Sequence, residues 1–118
     1  MPASETADLP AGTVIVVPFP SSERLAEKRR PAMVVSGEGV AAAGYVWIAM
    51  ITSARNTRAE GDVRIDDLTS AGLGVASVVR PIKLACIEPT RILRRIGMLP
   101  HPTAAQVYAT IRSLIGAA

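Results

Sequence analysis

The chain has 118 residues, enough to close one hydrophobic core but not two, and 49% are hydrophobic against 19% charged, which excludes a disordered chain. The net charge is +3 with a sequence pI near 9.6, a modest bias towards polyanions. The single cysteine, Cys86, excludes an intramolecular disulfide, no His, Cys or carboxylate cluster has metal-ligand spacing, and no apolar run approaches the length of a membrane span.

Residues 1–11 are small, polar and acidic with two prolines, which predicts a flexible N-terminal tail ahead of a single domain over 12–118. This N-terminus lacks the basic and apolar regions of a signal peptide, so the expected location is the cytoplasm. Residues 13–19 are β-branched and then broken by Pro18 and Pro20, as in a strand that ends in a turn. The polar stretch 21–30 reads as a loop. After Pro31, residues 32–36 form a second strand, 37–44 a connection and 45–52 a third strand. Residues 62–66 alternate polar and apolar like a half-buried strand. Gly72 and Gly74 precede a strand over 76–80, a further apolar run follows Pro81 to residue 87, and 91–99 offers a last short strand. The period then changes. Thr103 with Gln106 matches a capping box, and Val107, Ile111 and Leu114 recur at helical spacing. Short strands punctuated by Gly and Pro, closed by one helix, predict a small antiparallel barrel.

Basic residues concentrate in the folded part. From Ser77 onward Arg80, Lys83, Arg91, Arg94, Arg95 and Arg112 stand against Glu88 alone, and arginine can grip phosphate through two parallel hydrogen bonds. Lys28-Arg29-Arg30-Pro31 delivers three cations to the mouth of a strand, although a solvated basic loop explains three adjacent cations more simply. Thr52 and Ser53 place two hydroxyls at a strand end, followed by Arg55 and Arg58. Hydroxyls there can orient a phosphate or merely satisfy a turn. Should the two strands be adjacent, Arg30 and Thr52 would share one rim of the barrel. Arg80 is a candidate phosphate contact or a salt-bridge partner of Asp66 or Asp67. The Arg94-Arg95 pair reads as a solvated strand edge. The lone His101 excludes a two-histidine nuclease, and Cys86, in an apolar run, reads as buried and inert.

Taken in order, Gly12-Thr13-Val14, Lys28-Arg29-Arg30-Pro31-Ala32-Met33-Val34-Val35-Ser36, Ile51-Thr52-Ser53, Gly61-Asp62-Val63, Gly72-Leu73, Ser77-Val78-Val79-Arg80 and Ile96-Gly97-Met98-Leu99 resemble the PemK/MazF toxin family. No single piece is specific; the ordered set is. The resemblance implies an SH3-like antiparallel β-barrel with a C-terminal helix, usually a homodimer. It implies a metal-independent endoribonuclease that needs no cofactor, cuts short motifs in single-stranded RNA and so inhibits translation. A cognate antitoxin would neutralise it, and DNA would be met only through that antitoxin. By the same resemblance Arg30 and Thr52 are the catalytic residues, and Lys28, Arg29, Ser53, Arg55, Arg58 and Arg80 line the RNA site. The ribose 2′-hydroxyl would attack the adjacent phosphorus, leaving a 2′,3′-cyclic phosphate and a 5′-hydroxyl. Some members carry a proposed base, an aspartate, two positions after the arginine that Arg80 resembles, where this chain has Ile82. Two alternatives compete: a toxin resembling the CcdB gyrase poisons, which act by binding a protein, and a barrel that binds nucleic acid or a partner without cutting.

Overall fold

The computed structural model describes residues 9–19 and 28–116. Its strands are β1 (Thr13–Phe19), β2 (Lys28–Val34), β3 (Val46–Ser53), β4 (Val63–Ile65), β5 (Ser77–Ile87) and β6 (Arg94–Met98). They form one sheet in the order β4-β5-β3-β2-β1-β6, with every pairing antiparallel. The sheet curls into a half-barrel that a C-terminal helix packs against, as the sequence predicts. The helices are α1 (Glu38–Ala42), α2 (Leu68–Ala71) and α3 (His101–Leu114), with a 3-10 turn at Pro89–Arg91.

Both faces of the sheet are covered, which is why its central strands read as near-continuous apolar runs rather than clean alternations. One face carries Val14, Met33, Ala49, Ile51 and Val79 and packs against Ala104 and Val107 of α3. Ile15, Val17, Ala32, Val34 and Ile48 cluster on the other. Leu9 joins this second cluster, and the carbonyl of Pro10 accepts from the Thr13 hydroxyl at 2.7 Å. The tail expected over 1–11 otherwise lies largely outside the described residues, as does most of the loop expected over 21–30.

Four boundaries differ from the sequence reading. Lys28, Arg29 and Arg30 already belong to β2, and Pro31 sits inside the strand. That is tolerated because β2 pairs with β1 from Lys28 onward but with β3 only from Ala32, so a proline without a donor meets an unpaired edge. The two runs on either side of Pro81 are one strand, β5. Met50 of β3 pairs with Arg80 while its neighbour Ala49 pairs with Leu84, so Pro81, Ile82 and Lys83 are thrown out of the ladder as a jog. The expected connections hide two short helices, α1 and α2, of which α2 is capped by the Asp67 carboxylate accepting from Ser70 N–H at 3.0 Å. Finally, α3 begins at His101 behind Pro100 with no side-chain cap, so Thr103 lies within the helix and the capping box is not formed. Pro102 supplies the stiff first turn instead. Val107 is buried as expected, but Leu114 is exposed.

Two glycines are dictated by contact. A Cβ on Gly97 would collide with the backbone of Ser70 and Ala71, so only glycine lets α2 settle on β6. Gly61 has φ of +80°, the left-handed turn that brings Asp62 back towards β5.

Candidate functional site

Side-chain alternation puts the two leading candidates on one face. Ala32 and Val34 belong to the second apolar cluster, so Arg30, two residues before Ala32, points to the same side; Thr52 follows Ile48 and Met50 on that side in β3. Strands β2 and β3 are neighbours with Ala32 opposite Met50. Carried two residues further along both strands, that register sets Arg30 across from Thr52, just where the β2–β3 ladder has ended. On the far side Thr52 pairs with Val78 of β5, and Val78 pairs with Arg64 of β4. Arg30, Thr52, Val78 and Arg64 thus form a row across four strands. Arg30 is half-buried, whereas Lys28 and Arg29 are exposed. None of these three makes an ion pair among the described residues.

The loop after β3 is tightly tied. Asn56 N–H donates to Ser53 C=O at 3.0 Å and Ala54 N–H to Ala76 C=O at 2.9 Å. The Ser53 hydroxyl accepts from Arg55 N–H at 3.2 Å. Thr52 is 4% exposed, and its Oγ1 accepts from the Asn56 side-chain amide at 2.6 Å. Arg55 and Arg58 are exposed.

Arg80 closes the other end of the loop. Its Nε and Nη2 donate to the two carboxylate oxygens of Asp62, each at 3.0 Å, and Nη2 also donates to Thr57 C=O at 2.7 Å. This is the salt-bridge alternative of the sequence reading, with a correction: the partner is Asp62, not Asp66 or Asp67, because the left-handed turn at Gly61 returns that residue to β5. Burial works to raise the Asp62 carboxyl. Hydrogen bonds from Arg80 and from Ala59 N–H, with the charges of Arg80 and Arg58, outweigh it and hold the group below the usual carboxylate range. Asp66 instead faces Arg64 loosely at 3.7 Å, both side chains well exposed, a contact worth little.

Asn56, Arg58, Asp62, Arg64 and Val78 line a cavity of about 280 Å³ at the Arg64 end of the row. The sequence reading missed Asn56, Asp62 and Arg64 as site residues. Only Arg64 left a signal, being the outward residue of a strand whose neighbours Val63 and Ile65 are buried. Arg94, Arg95 and His101 are exposed on other elements. Ile82 is exposed in the β5 jog. Cys86 is exposed rather than buried; it lies opposite Trp47 and lines an apolar groove of about 590 Å³ with Trp47, Leu84, Tyr108 and Ile115. Among the described residues no three His, Cys, Asp or Glu side chains gather where a metal ion could be held, and no helix is long and apolar enough to cross a membrane.

Solved structures of MazF toxins share this architecture. MazF from Deinococcus radiodurans superposes with a TM-score of 0.72 at 24% identity, over 92% of this chain and 96% of that one. The MazE–MazF complex from the same organism gives 0.69 at 21%, with the same coverage. An endoribonuclease in complex with its cognate antitoxin, from a mycobacterial species, gives 0.71 at 14%, again over 92% and 96%. No curated protein matches the sequence. The family profile described as PemK-like, MazF-like toxin of type II toxin–antitoxin system matches residues 11–115, which spans nearly the whole chain and includes every candidate site residue. The chain belongs to the PemK-like, MazF-like toxin family of type II toxin–antitoxin systems.

Proposed function

We propose that this protein is a metal-independent endoribonuclease that cuts single-stranded RNA in the cytoplasm, inhibits translation, and is held in check by a cognate antitoxin. The observation that carries this reading is the register that sets Arg30 across from Thr52 at an open strand edge. A guanidinium keeps its charge at pH 7 and presents a fixed fork of donors, so Arg30 neutralises the scissile phosphate and donates to the departing 5′-oxygen. The Thr52 hydroxyl hydrogen-bonds a non-bridging oxygen, where charge builds up in the phosphorane. The ribose 2′-oxygen bonds to phosphorus and gives its proton to solvent, the bond to the 5′-oxygen breaks, and that oxygen takes a proton from solvent, so the products are a 2′,3′-cyclic phosphate and a 5′-hydroxyl. No water is consumed.

Lys28 and Arg29 on the open edge, Ser53 at the end of β3, Arg55 and Arg58 in the loop after it, and Arg64 at the end of the row track the flanking phosphates as solvated cations and donors. Arg80, whose Nε and Nη2 donate to Asp62 and Thr57, acts by holding that loop rather than by gripping RNA. The mycobacterial endoribonuclease with its cognate antitoxin and the MazE–MazF complex support an antitoxin partner here, with DNA met only through it. The exposed apolar side chains of Tyr45, Trp47, Ile82 and Leu84 support burial in a homodimer.

Incubating the purified chain with single-stranded RNA of varied sequence in the presence of a chelator tests the reading. Cleavage is expected from the wild type, and its loss, with the fold retained, from Arg30→Ala and from Thr52→Ala. Intact RNA with well-folded wild-type protein refutes it.

A further inference from the structure

Thr52 Oγ1 has one proton to give and two lone pairs to fill. The Asn56 amide fills one of them at 2.6 Å, and no hydrogen bond among the described residues takes the hydroxyl proton. With χ1 of a β-branched residue already stiff, the direction of the O–H bond is the remaining freedom at this side chain. An amide donating from one side leaves the proton pointing elsewhere.

The Asn56 side chain is not needed to build its own turn, because the turn is closed by its backbone N–H on Ser53 C=O. Its position is nevertheless fixed from both directions. Ser53 ties the residues before it, and Arg80 ties Thr57, the residue after it, at 2.7 Å. An exposed asparagine held at hydrogen-bonding distance from a buried threonine, at the mouth of a cavity, is poised to act through that threonine.

We propose that Asn56 is a positioning residue for RNA cleavage: its amide aims the Thr52 hydroxyl proton at a non-bridging oxygen of the scissile phosphate. This rests on the reading of Thr52 as a phosphate donor. It also gives the Arg80–Asp62 pair a role, since that clasp holds the segment from which Asn56 reaches back.

Two substitutions test it in the full-length protein. Asn56→Ala removes the amide. Asn56→Asp keeps the shape but reverses the polarity, because an ionised carboxylate only accepts and draws the Thr52 proton to itself. The charged groups around the new carboxylate are Arg58 and Asp62 of its own loop, Arg64 of β4 and Arg80 of β5, with Arg30 beyond Thr52 on β2.

Cleavage of a single-stranded RNA oligonucleotide is followed at saturating and limiting concentration from acid to neutral pH, with thermal unfolding as the check on folding. At neutral pH, kcat falls about tenfold or more in Asn56→Ala and further in Asn56→Asp, while KM in Asn56→Ala stays within about twofold of wild type. As pH falls through the carboxylate range the Asn56→Asp enzyme regains activity relative to wild type, because a protonated carboxyl donates again. Wild-type kcat in both variants, or a loss confined to KM, overturns the role of Asn56 and leaves the nuclease reading standing. A wild-type protein that cuts no RNA overturns both.

Discussion

Asp62 and Arg80 show how one backbone turn reassigns a residue. The sequence leaves Arg80 as either a phosphate contact or a salt-bridge partner; its side chain is 13% exposed and that of Asp62 7%, and a bidentate pair at that depth is a structural bond before it is a ligand. Removing one partner leaves the other charge buried, which costs about 3 kcal/mol. The pH dependence follows from Asp62 titrating below its ordinary value of 3.8. The carboxylate's contribution is fully present above the unfolded-state value and disappears as pH falls through the lower folded-state value. Urea unfolding is therefore expected to show the wild type losing stability on acidification below about pH 4. Asp62→Asn should be about 3 kcal/mol less stable at neutral pH, with a shallower acid limb. Some limb persists, because Ser70 holds the Asp67 carboxyl low in the same way. Equal stability and an identical acid limb in the variant would show that the pair does not hold the loop.

At the scale of elements, much of the sheet was legible because hydrophobic runs and proline punctuation are local signals. The third strand stands within a residue of its expected bounds, and the C-terminal helix is present as the helical spacing predicts, although its N-cap is Pro100, three residues ahead of the cap expected at Thr103. What escaped is non-local. Nothing around Pro81 reveals that two runs form a single jogged strand, since the jog is defined by the partners Met50 and Ala49 on β3. Gly97 falls inside the last strand as expected, but nothing in the sequence shows that glycine is required there because the backbone of α2 presses on it. Arg30 and Thr52 were legible as strand-end residues, but their alignment depends on β2 and β3 being neighbours in register. Asn56 was invisible as a partner of Thr52, because its placement needs the turn at Ser53 and the clasp at Thr57 together. Cys86 was misread since an apolar run does not disclose which of its faces is covered.

For the whole molecule, the distribution of surface separates two tasks. The row of Arg30, Thr52 and Arg64 at the strand ends is polar and cationic, suited to a phosphate chain, while Trp47 and Leu84 stand about half-exposed beside the groove under α3. Apolar surface of that kind is expected to be covered in an assembly. Trp47→Glu should therefore shift sedimentation from the proposed dimer to monomer while leaving the fold intact, since the side chain lies outside both apolar clusters; a monomeric wild type would contradict the proposed homodimer. The central claim concerns the cationic face. It is tested most directly by mass analysis of the ends left when the wild-type chain acts on a single-stranded RNA oligonucleotide in excess chelator. The account predicts paired fragments ending in a 2′,3′-cyclic phosphate and beginning with a 5′-hydroxyl. Uncut RNA, or fragments carrying a 5′-phosphate, would contradict it.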